Sequence, residues 1–124
     1  MAFRTGREGT SKMTTDLKAS FVRQSNVAWC DANAPEGLLS DSTRAKCLFD
    51  AAYFALLANA PDEARQAVVH HPDGAFIRSE CLRLALPADT GARFAGTEFS
   101  PLDEERPDKQ ALHQWASEVR ARLL

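Results

Sequence analysis

The amino-acid sequence predicts a small all-α protein, and two patterns lead to this prediction. The stretch from residue 44 to 58 is apolar over most of its length and is interrupted by one acid, Asp50. A helix that is apolar on nearly every face is stable only when other helices surround it. The second pattern is the recurrence of Leu112, Trp115 and Val119 at spacings of three and four, which is typical of an amphipathic helix. We therefore expect a small antiparallel helical bundle of four to five helices, built around residues 44–58.

Length and composition are those of one globular domain. The chain has 124 residues, of which 44% are hydrophobic and 26% are charged, so wholesale disorder is not expected. A net charge of −2 provides no general basic surface for nucleic acid, although a local patch for RNA is compatible with it. No apolar run reaches the roughly 18 residues that a membrane span needs. Three widely spaced cysteines fit reduced thiols, and we expect a cytoplasmic protein.

Helix start and stop signals divide the chain into a tail and one domain. Residues 1–13 are predicted to form a polar N-terminal tail, with Met13 as an alternative translation start. Residues 14–124 are predicted to form a single helical-bundle domain. The first helix is expected from about residue 16 to residue 32. It is followed by three residues that stop helices: Asn33, Pro35 and Gly37.

The central helix and the two that follow it are marked by capping residues. Ser40 is a cap-type residue that opens the central helix, and Asn59 closes it. Pro61 begins a short third helix, because proline is favourable in a first helical turn. This helix is expected to end before His71, after which Asp73 caps a fourth helix.

Residues 87–106 form the least regular region of the sequence. They contain two glycines and two prolines, and Pro107 then begins the last helix. We expect no regular structure in this region. Its apolar residues therefore lack a local helix to bury them, so that either the region folds back over the core or a second subunit covers it. These residues are Phe94, Phe99 and Leu102.

Three segments occur in an order that is typical of one known family. They are residues 42–52 (STRAKCLFDAA), residues 71–77 (HPDGAFI) and the final amphipathic segment 111–124. In this order they resemble the central helix, the His-containing turn and the C-terminal helix of the HEPN family of small helical-bundle domains. The resemblance implies a helical bundle, which in this family is commonly dimeric. Such bundles occur in toxin–antitoxin pairs, nucleotidyltransferase-linked pairs and RNA-cleaving defence systems.

The resemblance also implies where catalytic residues would lie. Catalytic members are metal-independent ribonucleases, in which an arginine and a histidine shortly after it precede the last helix. Here the segment 93–99 has Arg93 but no histidine, so we expect a non-catalytic interaction domain. The alternative is a ribonuclease in which Arg65 holds the phosphate and His70 acts as the general base. Under the non-catalytic interpretation, both residues lie at an exposed helix end.

Asp50 is the most unusual residue of the central helix, because an acid among apolar residues must be solvated, paired or protonated. One hypothesis is a polar pocket or a dimer contact, to which Arg44 and Lys46 also contribute as binding residues. Arg44 lies about 120° away around the helix, so it would join only through bundle curvature or a second subunit. The preferred alternative is a Lys46–Asp50 pair on a narrow solvent-facing strip.

The sequence predicts no metal site and no cofactor. His70 and His71 are adjacent, so on a helix they point about 100° apart, and no recognised metal or phosphate motif is present. The expected partner is a second copy of the chain or another small protein, with RNA as a further candidate. A third hypothesis is a small helical adaptor or regulator unrelated to the HEPN family.

Overall fold

The computed structural model describes residues 2–35, 38, 40–68, 72–97 and 109–124, with side chains from residue 17 onward apart from 41, 67, 96 and 97. Within these ranges the only regular secondary structure is helical, with turns between the helices and no strand, which confirms the all-α prediction. The helices are α1 (Ala2–Ala32), α2 (Asp41–Asn59), α3 (Asp62–Val68), α4 (Gly74–Arg83), α5 (Asp89–Thr97) and α6 (Lys109–Leu123). The described residues thus form six helices, where the sequence predicted four to five.

Helix α2 is the central, buried helix that its sequence predicts. Ser40 caps its first turn by accepting a hydrogen bond from the backbone N–H of Thr43 (3.2 Å). From Leu48 to Ala58, nearly every side chain is buried, because other helices cover α2 on several sides. Its fully buried side chains are those of Leu48, Phe49, Ala51, Ala52, Ala55, Leu56 and Leu57.

Helices α1 and α6 are the main neighbours of α2. α1 runs antiparallel to α2, since Phe21 stacks on Phe54 while Ser25 donates a hydrogen bond to the carbonyl of Ala51 (2.6 Å). α6 covers another side of α2 with the predicted apolar stripe, and Trp115 lies with its ring centroid 6.1 Å from that of Phe49. The core is therefore built around α2, with α1 and α6 as its main cover and with further side chains from α4 and α5.

Helix α1 begins at Ala2, whereas the sequence predicted a start near residue 16. The segment predicted as a polar tail is thus continuous with the helix. The physical reason is that no proline occurs before Pro35. Once packing on α2 has formed the C-terminal half of α1, extension adds one hydrogen bond for each residue and requires no new nucleus.

Helix α5 corrects the prediction that residues 87–106 lack regular structure. It covers Asp89–Thr97, and the side chain of Phe94 is buried with its ring centroid 4.9 Å from that of Phe49. Tertiary packing overrides the low helix propensity of its glycines. Phe94 therefore needs no second subunit to cover it. Phe99 and Leu102 lie outside the described residues.

Helix α4 ends in a Schellman motif with an alanine in the position that glycine usually takes. The N–H of Leu86 bonds to the carbonyl of Cys81 (2.8 Å), and the N–H of Ala85 bonds to that of Leu82 (3.3 Å). Ala85 accordingly has a positive φ of 57°. For a residue with a Cβ atom this left-handed conformation costs about 1–2 kcal/mol.

We expect Ala85→Gly to stabilise the protein by about 1 kcal/mol and to raise its Tm by roughly 3–5 °C, because glycine adopts a positive φ without this cost. Ala85 is exposed, so no packing is lost. Thermal unfolding followed by circular dichroism measures the change. Ala121→Gly, at an exposed position inside α6, is the matched control and should lower the Tm. A fall in Tm for Ala85→Gly would contradict the assigned motif.

Candidate interaction site

Arg44 holds the C-terminal end of α1. Its guanidinium donates hydrogen bonds to the carbonyls of Ala32 (2.5 Å) and Ala34 (2.8 Å), with a longer one to Pro35 (3.4 Å). The last carbonyls of a helix have no partner within the helix, and a cation is favourable beside them. The structure thus places this predicted binding residue at the α1–α2 connection, where it orients the two helices.

Lys46 and Asp50 form the ion pair that their spacing predicts. The Lys46 Nζ atom lies 3.2 Å from a carboxylate oxygen of Asp50, and the two side chains are 41% and 27% exposed. The Lys46 ammonium also lies 5.4 Å from the ring centroid of Phe49. This confirms a solvated pair on α2. An exposed pair contributes at most about 1 kcal/mol, so it has little weight in the stability of the fold.

Asp50 also lines an open groove between α1 and α2, and this is the candidate site. The space accessible to water in this open groove is about 460 Å³. Its floor is mainly apolar, while charged side chains stand along its α1 wall. The α1–α2 groove is lined by Ser20, Arg23, Gln24, Val27, Ala28 and Asp31 from α1 and by Cys47, Asp50 and Phe54 from α2.

Sequence reasoning found Asp50 but missed the α1 wall of the groove. The signal was present in the spacing of Ser20, Gln24, Val27 and Asp31, which recur four, three and four residues apart. This spacing marks one face of a helix. It was overlooked because this face is more polar than the neighbouring core face, and only the packing of α1 on α2 turns it into the wall of a groove.

Cys47 lies in the groove as a protonated thiol. Burial raises its pKa above the ordinary value, and the nearby carboxylates of Asp31 and Asp50 raise it further. Because the thiolate is the reactive form, this environment disfavours nucleophilic chemistry at neutral pH. Cys47 therefore acts as an apolar part of the lining.

Arg65 is buried, whereas the sequence placed it at an exposed helix end. Its side chain is 6% exposed, donates a hydrogen bond to the carbonyl of Leu57 (3.3 Å) and pairs with Asp62. The guanidinium also lies 5.6 Å from the ring centroid of Phe21. These contacts tie α3 to the end of α2 and to α1. His70, its predicted catalytic partner, lies outside the described residues.

His113 packs at the end of α1. Its ring centroid lies 5.0 Å from that of Trp29, and its Nε2 atom is 3.3 Å from the side-chain oxygen of Asn33. Arg106, the nearest arginine before it in the sequence, lies outside the described residues. The contacts of His113 hold α6 against α1.

Ser25 and its neighbours show how the groove wall is kept in place. Arg120 donates to the Ser25 hydroxyl (2.8 Å), which in turn donates to the carbonyl of Ala51. Burial lowers the pKa of Arg120, and its guanidinium lies 5.3 Å from the ring centroid of Trp29. This chain of hydrogen bonds links α6, α1 and α2. The buried Ser25 hydroxyl both accepts and donates a hydrogen bond. Because a shift of α1 along α2 would break these bonds, they make the α1–α2 contact specific.

The other buried polar groups of the described residues also serve packing. The carboxylate of Glu80 accepts hydrogen bonds from Arg83, which also donates to the carbonyl of Asn59 (2.8 Å). Donating these hydrogen bonds to the Glu80 carboxylate raises the pKa of the Arg83 guanidinium. Burial raises the pKa of the Cys81 thiol to about 11. None of the described His, Cys, Asp and Glu residues cluster into a group that could hold a metal ion.

The described part of the chain defines an all-helical protein with an open groove between its two longest helices. None of the described helices has the length and apolar character to cross a membrane. A comparison of the chain with protein-family models, with curated proteins and with solved structures found no match. The arguments about function therefore rest on the residues of the chain.

Proposed function

We propose that this chain is a non-catalytic helical interaction domain of HEPN-like type, and that it binds a protein partner through the α1–α2 groove. The observation that carries the proposal is the position of Val27, which is 60% exposed on the groove wall. A large apolar side chain beside an open apolar floor, with charges around it, is the pattern of a protein interface.

The dimensions of the groove fit a helix. Its α1 wall extends from Ser20 to Asp31, which is about 16 Å or three turns of helix. Recognition of an amphipathic helix in a groove uses side chains three to four residues apart on both partners, and the wall residues have this spacing. The proposed partner is therefore a protein that presents a helix of about three turns.

The chemistry of the described side chains favours binding over catalysis. A phosphate clamp needs a guanidinium that reaches solvent, and that of Arg65 is turned inward. The thiol of Cys47 stays protonated. The HEPN-like part of the proposal, with a toxin–antitoxin or nucleotidyltransferase-linked setting, is supported by the residue matches in segments 42–52 and 71–77.

A photo-crosslinking amino acid placed at position 27 tests this function in cells that express the protein. We expect covalent adducts with one defined protein, identified by mass spectrometry. The matched control carries the same group in place of Leu82, which is 83% exposed on α4 and lies outside the groove. Position 82 should give no such adduct.

Two results would refute the proposed function. One is equal crosslinking at positions 27 and 82, or none at either, because the groove would then have no special role in binding. The other is RNA cleavage by the purified protein in the presence of EDTA that is lost in His70→Ala. That result would establish a metal-independent ribonuclease.

A further inference from the structure

We propose that the partner in the α1–α2 groove is a second copy of this chain, bound about a two-fold axis that passes beside Val27. This inference rests on the proposed function and names its partner. In the resulting dimer the two α1 helices run antiparallel, and Arg23 of each copy faces Asp31 of the other. The argument is one of charge complementarity.

The first step concerns the arrangement of three side chains on α1. Arg23, Val27 and Asp31 are four residues apart, so successive ones differ by about 40° around the helix and share one face. All three are exposed. Residues four apart form the ridges through which helices most often pack on each other. The face thus presents one ridge with a cation at one end, an apolar centre and an anion at the other end.

The second step concerns the partners of the two charges. Within the described residues, neither Arg23 nor Asp31 forms an ion pair. They cannot pair with each other, because eight residues of helix separate them by about 12 Å. Both lie on the groove wall. Each charge therefore faces solvent at the site where a partner is proposed to bind.

The third step is the symmetry of this pattern. A two-fold axis beside Val27 relates the two α1 helices. A residue a given number of positions before Val27 in one copy then lies opposite the residue the same number of positions after Val27 in the other copy. Arg23 then meets Asp31, twice, and Val27 meets its own copy at the centre. A closed dimer requires such a self-complementary surface. The apolar centre and the charged ends also match the core and rim of protein interfaces.

The groove supplies the apolar contact that two isolated helices would lack. Beside the central contact between the two Val27 side chains, each Val27 would also border the groove of the other copy. This groove is lined there by Ala28 and Phe54 and has an open volume of about 460 Å³. This burial supplies the affinity, while the charge pairs set the antiparallel register. A helix of unrelated sequence would match Arg23 and Asp31 only if it carried opposite charges eight residues apart, whereas a second copy of α1 always does.

Variants of the protein in which one charge of the pair is reversed test this dimer. Arg23→Glu and Asp31→Arg each turn both attractive pairs into repulsive ones. We expect each variant to have a dimer dissociation constant at least about tenfold higher, corresponding to about 1.4 kcal/mol, in sedimentation velocity over a concentration series. The double variant restores both pairs and should dimerise like the original protein. An equimolar mixture of the two single variants should form heterodimers, because each pair then joins opposite charges.

Matched controls show whether dimerisation depends on the specific Arg23–Asp31 pairs or only on the net charge of the protein. Lys18→Glu makes the same change of charge at an exposed site of α1, about 180° around the helix from Val27, and should dimerise normally. Circular dichroism checks that each variant is folded. Arg23→Gln and Asp31→Asn are milder substitutes and should weaken the dimer by less than the reversals do.

Two outcomes would overturn the dimer. The first is a monomer at high micromolar concentration for the original protein. The second is an unchanged dissociation constant in both reversals, which would locate any dimer contact elsewhere. Adducts at position 27 with a protein of different sequence, together with either outcome, would retain the groove function and reject the second copy. Absence of adducts at position 27 would reject both.

Discussion

Replacement of Phe49 by alanine is expected to cost about 3–5 kcal/mol of unfolding free energy. The ring is fully buried and packs against three other aromatic rings, with centroid distances of 5.4 Å to Tyr53, 4.9 Å to Phe94 and 6.1 Å to Trp115. These rings belong to α2, α5 and α6. Truncation would leave a cavity that three helices must share, and none can move inward without losing its other contacts.

Urea unfolding monitored by circular dichroism measures this loss. A domain of this size has a total stability of about 5–15 kcal/mol, so Phe49→Ala should remove a large fraction of it. The control is Leu82→Ala, at a highly exposed position of α4, which should change stability by less than about 0.5 kcal/mol. A loss below about 1 kcal/mol for Phe49→Ala would mean that the aromatic cluster is not the centre of the core.

Gly91→Ala is expected to destabilise the protein by about 1–3 kcal/mol, against the usual trend. Inside a helix this substitution normally stabilises by up to about 1 kcal/mol, because alanine has the higher propensity. At position 91 an added Cβ atom would overlap the ring of Trp115. That ring cannot easily retreat, since its Nε1–H donates a hydrogen bond to the carbonyl of Pro87 (2.7 Å) and its other face packs in the core.

A double-mutant cycle with Trp115→Phe assigns the cause of this loss. Phenylalanine lacks the indole atoms that the new methyl group would meet, so Gly91→Ala should cost at least about 1 kcal/mol less in that background. Chemical unfolding of the four proteins gives the coupling energy. A neutral or stabilising effect of Gly91→Ala in the original protein would show that α5 and α6 are further apart than this contact requires.

The two core predictions also bear on the groove. α2 contributes one face to the aromatic core and another, with Cys47, Asp50 and Phe54, to the groove. α1 is held on it through Ser25 and Ala51. The side chains of Arg23 and Asp31 are exposed on the groove wall, so substitutions there can change binding without disturbing the core.

Local features of the chain were predicted correctly because they depend on neighbours in sequence. The cap at Ser40, the cap at Asp73 and the Lys46–Asp50 pair each involve residues within one helical turn. The buried character of α2 follows in the same way from its nearly continuous apolar surface. Composition and periodicity carry this information without any knowledge of the tertiary structure.

The candidate site could be predicted only in part. Asp50 stood out because an acid is rare in an apolar helix, but the importance of Val27 and of the charges beside it on α1 was not visible. Those residues become the wall of a groove only when α1 packs on α2 in the observed register. Arg44 and Arg65 were assigned as binding or catalytic candidates by residue type, yet both are engaged by backbone carbonyls of helix ends.

The sequence of this protein was sufficient for its all-helical class, its central helix and most of its helix boundaries, because caps, prolines and the helical period act over a few residues. The helical state of residues 89–97, the burial of Arg65 and the groove beside Val27 depended on packing. Each arises where segments far apart in the chain meet, as Gly91 does with Trp115. Such contacts are decided by the fit of whole surfaces, which no local pattern of residues encodes.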